Sequence, residues 1–449
     1  MIALLAAGLA ALGALAVVLA RGWPRGACLA GVVALSAVTA AVVVAPLEAP
    51  VALGEAYLVD APLTRLWLSG MAGSLALVVL VALLVGPSST FPMVACVLVA
   101  ATGLSLALSD PTVALILAAG GGLLSLAGAG RAWEGPYRQA AVVAGLAVGA
   151  VLLASLIAPT SPALVLPAIL VVGAVGLRVG AVPLQVAPLR AARTAPLTMV
   201  PLLSVWAPYL FGLLAVAWAT AGPVAGVLDT PAVRDALAIV GGLTVVLAAL
   251  AMLVQDDLGA LLGVHAIGDG ALVLLALAGG AAALPALVAW LIVSGLARTA
   301  LAAWSVAVAS RMGSRRIDET RGWIRRAPLL LPALVVPVVA GVGWPGSPPF
   351  EARRLIAEGV MPEAVALLVT GASIALAMGY LRLAWSGIQR ADDASDLPAH
   401  RARRAAGWSA AALVLVMGAL VLVVVVGYTA EGFTEASAAA AGWRPFQAR

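Results

Sequence analysis

Hydrophobic residues fall along this chain in long, nearly unbroken runs rather than at helical or alternate spacing. Each run is about 20 residues, enough for a helix to cross a hydrocarbon core of about 30 Å. The runs predict fourteen spans at 2–20, 27–46, 66–86, 91–109, 112–130, 139–158, 162–187, 197–221, 234–254, 259–279, 283–309, 327–345, 361–388 and 405–428. The connections are mostly short, so an all-α polytopic membrane protein with one integral domain over 1–449 is expected. Composition agrees: 63% of residues are hydrophobic, 10% are charged and mean hydropathy is +1.12. A soluble domain carries about 25% charged residues. The first run has no basic residues before it and is followed by Arg21 and Arg25, so it reads as a membrane helix and not a cleaved leader.

All 25 basic side chains are arginine; there is no lysine. Sixteen lie in the loops after odd-numbered spans and four, Arg65, Arg234, Arg353 and Arg354, after even-numbered ones. Positive charge collects on the cytoplasmic side, so both termini are expected outside, in a multi-pass protein of a bacterial cell membrane. The arginine-rich connection from Arg311 to Arg326 is expected to be solvated and to face headgroups. The basic residues form no stripe with interleaved aromatics, so nucleic acid is not an expected partner; the lipid bilayer is. Cys28 and Cys96 sit in apolar runs without ligand spacing, which predicts buried, free thiols and no metal. No cofactor motif is present. The glycines at 120–122 lie within a span, where small residues let helices approach closely.

Two spans are interrupted. The seventh contains Gly176, Gly180 and Pro183, then Pro188; the twelfth ends in Gly343-Trp344-Pro345-Gly346-Ser347-Pro348-Pro349. Proline removes a backbone donor and clashes with the preceding turn. Irregular backbone at membrane depth is tolerated only where protein or water satisfies it. The first three spans occupy 1–86. Spans four to eight (about 91–221) and nine to thirteen (about 234–388) then form two inverted five-helix units, each broken in its fourth helix, with a last helix at 405–428. Paired breaks of this kind point to an ion path. The charged residues surviving within the apolar spans are Arg178, Asp269, Arg298 and Arg382, each a functional candidate because burial in lipid is costly. His265 and Asp269 lie four apart on one helix face. They read either as a short relay or as a local structural pair. Arg178 and Arg298 read as members of fixed ion pairs, since arginine keeps its proton.

Four stretches resemble the proton-conducting antiporter-like subunits of respiratory complex I, membrane hydrogenases and Mrp antiporters. Gly176 to Pro183 looks like that family's seventh-helix stretch, with Arg178 at a lysine position. Gln255-Asp256-Asp257-Leu258 looks like its Gln-x-Asp-Leu run, with Gly259 for a lysine and Asp269 for a histidine. Trp290 to Leu301 looks like the helix carrying histidine and lysine, here Ser294 and Arg298. Ser347-Pro348-Pro349-Phe350 looks like a Leu-Pro-Pro motif, and Tyr380-Leu381-Arg382 matches a Tyr-Leu-Arg signature. Gly122 stands where the family has a membrane glutamate. The lysine near the start of the eighth helix corresponds to Pro208 or Tyr209, and the lysine after Leu-Pro-Pro to Ile356.

The resemblance implies an antiporter-like membrane subunit of a complex I-related, NADH-quinone oxidoreductase-type or energy-converting complex. Other membrane subunits of that complex would be its partners, and protons or sodium the translocated ion. The missing lysines and glutamate imply a degenerate channel and a scaffolding or coupling role. A working translocator using Arg178, His265 and Asp269, or a self-standing carrier or channel, are the alternatives. No catalytic centre is expected in the chain itself; electron transfer would belong to the parent complex.

Overall fold

The computed structural model describes residues 2–46, 51–53, 56–58, 62–127, 134–343, 345, 347–389 and, in a last helical stretch, 411, 412, 414–416 and 418. Helices α1 (Ile2–Leu19) and α2 (Pro24–Val44) are followed by a hairpin of β1 (Val51–Leu53) and β2 (Ala56–Leu58), the exception to an otherwise helical fold. Next come α3 (Pro62–Val85), α4 (Thr90–Ala107), α5 (Pro111–Ala127) and α6 (Glu134–Leu156). The interrupted seventh span is α7 (Val165–Val179) and α8 (Val186–Thr194). A π-helical turn at Leu202–Trp206 leads into α9 (Ala207–Ala221), then α10 (Ala225–Leu228) and α11 (Pro231–Met252). The centre is α12 (Leu258–Gly279) and α13 (Leu284–Met312). The short α14 (Trp323–Arg326) precedes the second broken span, α15 (Leu330–Val342) and α16 (Pro348–Glu358). Helices α17 (Glu363–Ala375) and α18 (Met378–Ile388) follow in one apolar run.

Ten helical runs among the described residues are long and apolar enough to cross a membrane, or eleven if the bent pair ending at Val342 counts as one span. The longest, Leu258–Met312, contains both α12 and α13, while α5 is a shorter apolar helix. Helices therefore lie at the first thirteen expected spans. Most of 405–428 is outside the described residues, as are Arg131, Arg390, Arg401, Arg403 and Arg404. The chain is a multi-pass membrane protein.

The packing grades from lipid to core. Helix α1 packs on α2 and α4 and leaves Leu12, Leu15 and Leu19 exposed on its outer face. By contrast α12 is buried from Leu258 to Ala278, and α9 along nearly its whole length. A helix apolar all round suits such a position. The two free cysteines, Cys28 and Cys96, are fully buried.

The connection between α13 and α14 departs from the expected solvated loop. Arg316, Asp318 and Glu319 are exposed and pair with one another, but Ile317, Thr320 and Trp323 are buried. The Leu258 N–H donates to the Arg315 carbonyl at 2.9 Å, and the Ile317 N–H to Asp256 at 2.8 Å. Asp257 caps α12 by accepting from the Ala260 N–H at 2.9 Å, supplying one of the donors a helix start leaves free. Backbone groups at the mouth of α12 therefore hold the loop against the protein.

Candidate functional site

The first break exposes little free backbone. Helix α7 ends at Gly180, whose φ of +77° suits a residue without Cβ. The Gly176 carbonyl accepts from the N–H of Gly180 at 3.0 Å and of Ala181 at 2.8 Å. The Val182 N–H, ahead of Pro183, donates to Thr244 Oγ1 at 3.1 Å. Pro188 lies in the first turn of α8. Arg178, in the last turn of α7, is 8% exposed and has no hydrogen bond or ion pair among the described residues. Its guanidinium faces α5: a Cβ built on Gly122 would lie 3.0 Å from Arg178 Nη2.

The second cluster is tightly bonded. Asp269 Oδ2 accepts from Arg298 Nε at 2.7 Å and Ser294 Oγ at 2.7 Å, and pairs with Arg298 Nη2 at 2.6 Å. Ser294 Oγ is also 2.8 Å from the Tyr209 hydroxyl. Both charged side chains are 1% exposed. Two side chains of α13 thus hold one carboxylate oxygen of α12, and Tyr209 of α9 joins them through Ser294. Arg298 Nη2 also reaches toward the Gly341 carbonyl at 3.5 Å, at the end of α15.

His265 is not joined to Asp269, although the two share a face of α12. Its Nδ1 meets the Tyr380 hydroxyl at 3.0 Å, and Nε2 has no partner among the described residues. Arg382 lies away from this cluster, beyond the end of α11. It donates to the carbonyls of Leu253 at 2.6 Å and Gln255 at 2.7 Å and pairs with Asp256 at 2.5 Å. It closes the exposed end of α11 and does not meet the buried groups.

Comparison with known proteins follows from this geometry. The model of the NADH:quinone oxidoreductase/Mrp antiporter transmembrane family matches residues 143–379, over half of the chain. The chain belongs to this family. It is 32% identical over 182 residues to NADH-quinone oxidoreductase subunit N of Cereibacter sphaeroides, a match covering 39% of this chain and 40% of that relative. The fold resembles a chain of the archaeal membrane-bound sulfane sulfur reductase, with a TM-score of 0.76 at 18% identity over 99% of this chain and 97% of the other. It also resembles a chain of respiratory complex I from Thermus thermophilus (TM-score 0.72, 19% identity, 99% and 100% covered). A third likeness is to a chain of the Mrp complex from Dietzia (0.69, 17%, 98% of each).

The positions singled out by the resemblance fall into separate groups. Arg178 and Gly122, which it sets at lysine and glutamate places, face each other. Asp269, Ser294 and Arg298, which it sets at histidine, histidine and lysine places, form the buried ion-pair cluster. Of Pro208 and Tyr209, Tyr209 is the one whose polar group joins that cluster. Gly259 has no room for a side chain: its Cβ would meet Arg315 Nη2 and the Ala192 carbonyl. Arg315 itself bonds to the Ala195 carbonyl at 2.7 Å and to Asp257 at 3.2 Å. Ile356 is fully buried.

One functional candidate was missed. Arg353, counted above with the outer loops, is on α16 and only 1% exposed. Proline at 348 and 349 opens this helix, where their missing N–H groups cost nothing, and the chain turns back into the protein. The buried residues Pro349, Ala352, Arg353, Ile356 and Ala357 recur at helical spacing. That pattern was legible in the sequence but was hidden by treating 346–360 as a connection. Pro345 lies between α15 and α16, beside Gly343 with φ +69°. Trp344 and Gly346 lie outside the described residues.

Proposed function

We propose that this protein is an antiporter-like membrane subunit of a complex I-related, ion-translocating complex, in which its own proton channel is closed and its role is scaffolding and coupling. The observation carrying this reading is the Asp269–Arg298 ion pair, 2.6 Å long and buried among α9, α12 and α13, at places where the resemblance would put switchable groups. A proton path needs groups that gain and lose protons near the working pH. Arginine keeps its charge, and a carboxylate held by two guanidinium nitrogens and a hydroxyl is committed to that pair. Arg178 beside Gly122 has likewise lost its acidic partner. The family membership supports assembly with other membrane subunits of the same complex, in a bacterial inner membrane, with NADH–quinone chemistry supplied elsewhere in the assembly.

The two five-helix units, about 91–221 and 234–388, and the outside location of both termini belong to the same proposal. A Ser314→Cys variant should react with an impermeant thiol reagent from the cytoplasmic side; reaction from outside alone would reverse the topology.

Proton uptake per turnover in vesicles containing the whole complex tests the closed channel. The double variant Asp269→Leu with Arg298→Met removes both charges together and should leave the ratio of protons to turnovers unchanged in assembled complex. Loss of pumping with normal assembly would establish instead a translocator that runs through Asp269, with His265 and Arg178 as its neighbours on the path.

A further inference from the structure

Helices α7 and α11 both pack on α12, and a groove of about 460 Å³ lies between them. One face of α7, from Val165 through Val172 to Gly176, forms one wall; one face of α11, from Ala232 through Ala236 to Val240, forms the other. These positions are four or seven apart on each helix, the spacing that keeps residues on one side. Leu274 of α12 also lines the groove. Leu228 of α10, just ahead of Ala232, marks one end. Val182 marks the other, where its N–H meets Thr244 at the break between α7 and α8. The lining residues are Val, Leu, Ile, Ala and Gly throughout. No side chain there could replace the hydrogen bonds that a headgroup or a ring carbonyl would give up on entering. Only an aliphatic occupant suits the walls.

The dimensions decide which kind. Val165 and Gly176 are separated by about 16 Å of helix at about 1.5 Å per residue. A volume of about 460 Å³ over that length gives a mean cross-section of about 29 Å². A helix with its side chains is about 10–12 Å across and needs about 80–110 Å². A hydrocarbon chain is about 4 Å thick at van der Waals contact. A neighbouring helix could therefore cover the groove but not enter it, whereas a single chain fits. The groove opens outward, since Ile169 on its wall and Ile239 beside it are exposed. Its Leu228 end lies at the membrane surface, because α11 begins its crossing at Pro231. Asp229, Arg234 and Asp235 at that end carry both signs of charge, which suits a zwitterionic headgroup better than a purely anionic one. We propose that the groove holds one acyl chain of a zwitterionic phospholipid. Its headgroup sits at the first turn of α11, and its chain runs inward to the α7–α8 break. There the chain replaces missing protein packing and keeps water from the Val182–Thr244 hydrogen bond. Nothing in this depends on whether the channel conducts.

The test uses the whole complex in vesicles of phosphatidylethanolamine and phosphatidylglycerol. A trace of phosphatidylethanolamine carries a photoreactive diazirine midway along one acyl chain, and adducts are mapped by mass spectrometry after irradiation. Val172 and Val240 on the groove walls should be labelled more heavily than Leu243 and Leu247, which are exposed on α11. Gly173→Phe should then abolish the wall adducts and spare those at Leu243 and Leu247. Gly173 lines the groove, and a Cβ built on it meets nothing within 4 Å, so the added ring has the groove to fill. Equal labelling of walls and outer face, or wall adducts unchanged in Gly173→Phe, would overturn the site. Labelling by an isoprenoid quinone probe in place of the phospholipid would overturn the acyl-chain assignment. Should Gly173→Phe fail to assemble, an electron cryo-microscopy map of the wild-type complex in lipid nanodiscs decides. Narrow continuous density along α7 from Val165 to Gly176 is the expected result. An empty groove, or one filled by side chains of a neighbouring subunit, removes the proposal.

Discussion

The two helix breaks solve the same problem in different ways. Between α7 and α8 the chain looks after its own backbone: Gly180 and Ala181 return to the Gly176 carbonyl and Thr244 receives Val182. Arg178 stands nearby without a partner among the described residues, facing the bare Gly122. Between α15 and α16 long side chains close in on the break, with Arg298 of α13 reaching Gly341 and Arg353 of α16 itself set against Gly343. The first break is a local turn with one stray charge, whereas the second is tied into α12, α13 and α9 by an ion pair. Damage at the second should therefore spread further through the core.

The largest expected effect comes from the ion pair. Asp269→Ala strands Arg298, which cannot neutralise itself, and should destabilise by about 3–5 kcal/mol, seen as loss of assembled subunit. Arg298→Ala should cost less, because a lone carboxyl group can take up a proton. Equal losses would mean that the pair is not isolated from water. The double Asp269→Leu, Arg298→Met change should recover most assembly, since apolar replacements of a buried pair are often neutral.

The breaks themselves can be compared by adding one methyl group to each. Gly180→Ala places an L residue at φ +77° with side-chain atoms of Ile267 and Pro188 at 3.0 Å, and should cost about 1–2 kcal/mol. Gly343→Ala adds a clash with the Phe350 backbone nitrogen at 2.9 Å to the same kind of strain, giving about 2–4 kcal/mol. Apparent Tm in detergent would rank them, and the reverse order would contradict the tighter second break. A smaller change of opposite sign is expected from Gly122→Glu. It puts a carboxylate beside Arg178 and should stabilise by about 1 kcal/mol, after side-chain entropy is subtracted from a charged hydrogen bond. Gly122→Gln is the control without charge.

The smallest effect lies outside both breaks. A hydrogen bond from exposed Arg316 holds the Asp318 carboxyl below the usual carboxylate range. A lowered folded-state value contributes stability above the unfolded value and loses it as pH falls through the folded one. With the unfolded value near about 4, Arg316→Ala should lower apparent Tm slightly and evenly between pH 5 and 8, and the difference from wild type should fade in stronger acid. A difference that persists unchanged in strong acid would show that Arg316 acts through something other than the Asp318 carboxylate.

Length and hydropathy of the runs determined the membrane class and the helical character, because a bilayer requires about twenty apolar residues per crossing whatever the neighbours. The breaks were legible as Gly/Pro clusters, since those residues act on backbone geometry locally. The resemblance singled out Arg178, Asp269, Ser294 and Arg298, and spacing along α12 suggested a His265–Asp269 pair that does not form among the described contacts. Sharing a helix face allows contact but does not select it. Ser294 and Arg298 come from α13 and Tyr380 from α18, and only the packing of those helices chose the partners. Arg353 is the clearest case. By its number it lay in a loop, and only the return of α16 into the core buried it, because burial is a property of what surrounds a residue and not of the residue's own stretch of chain.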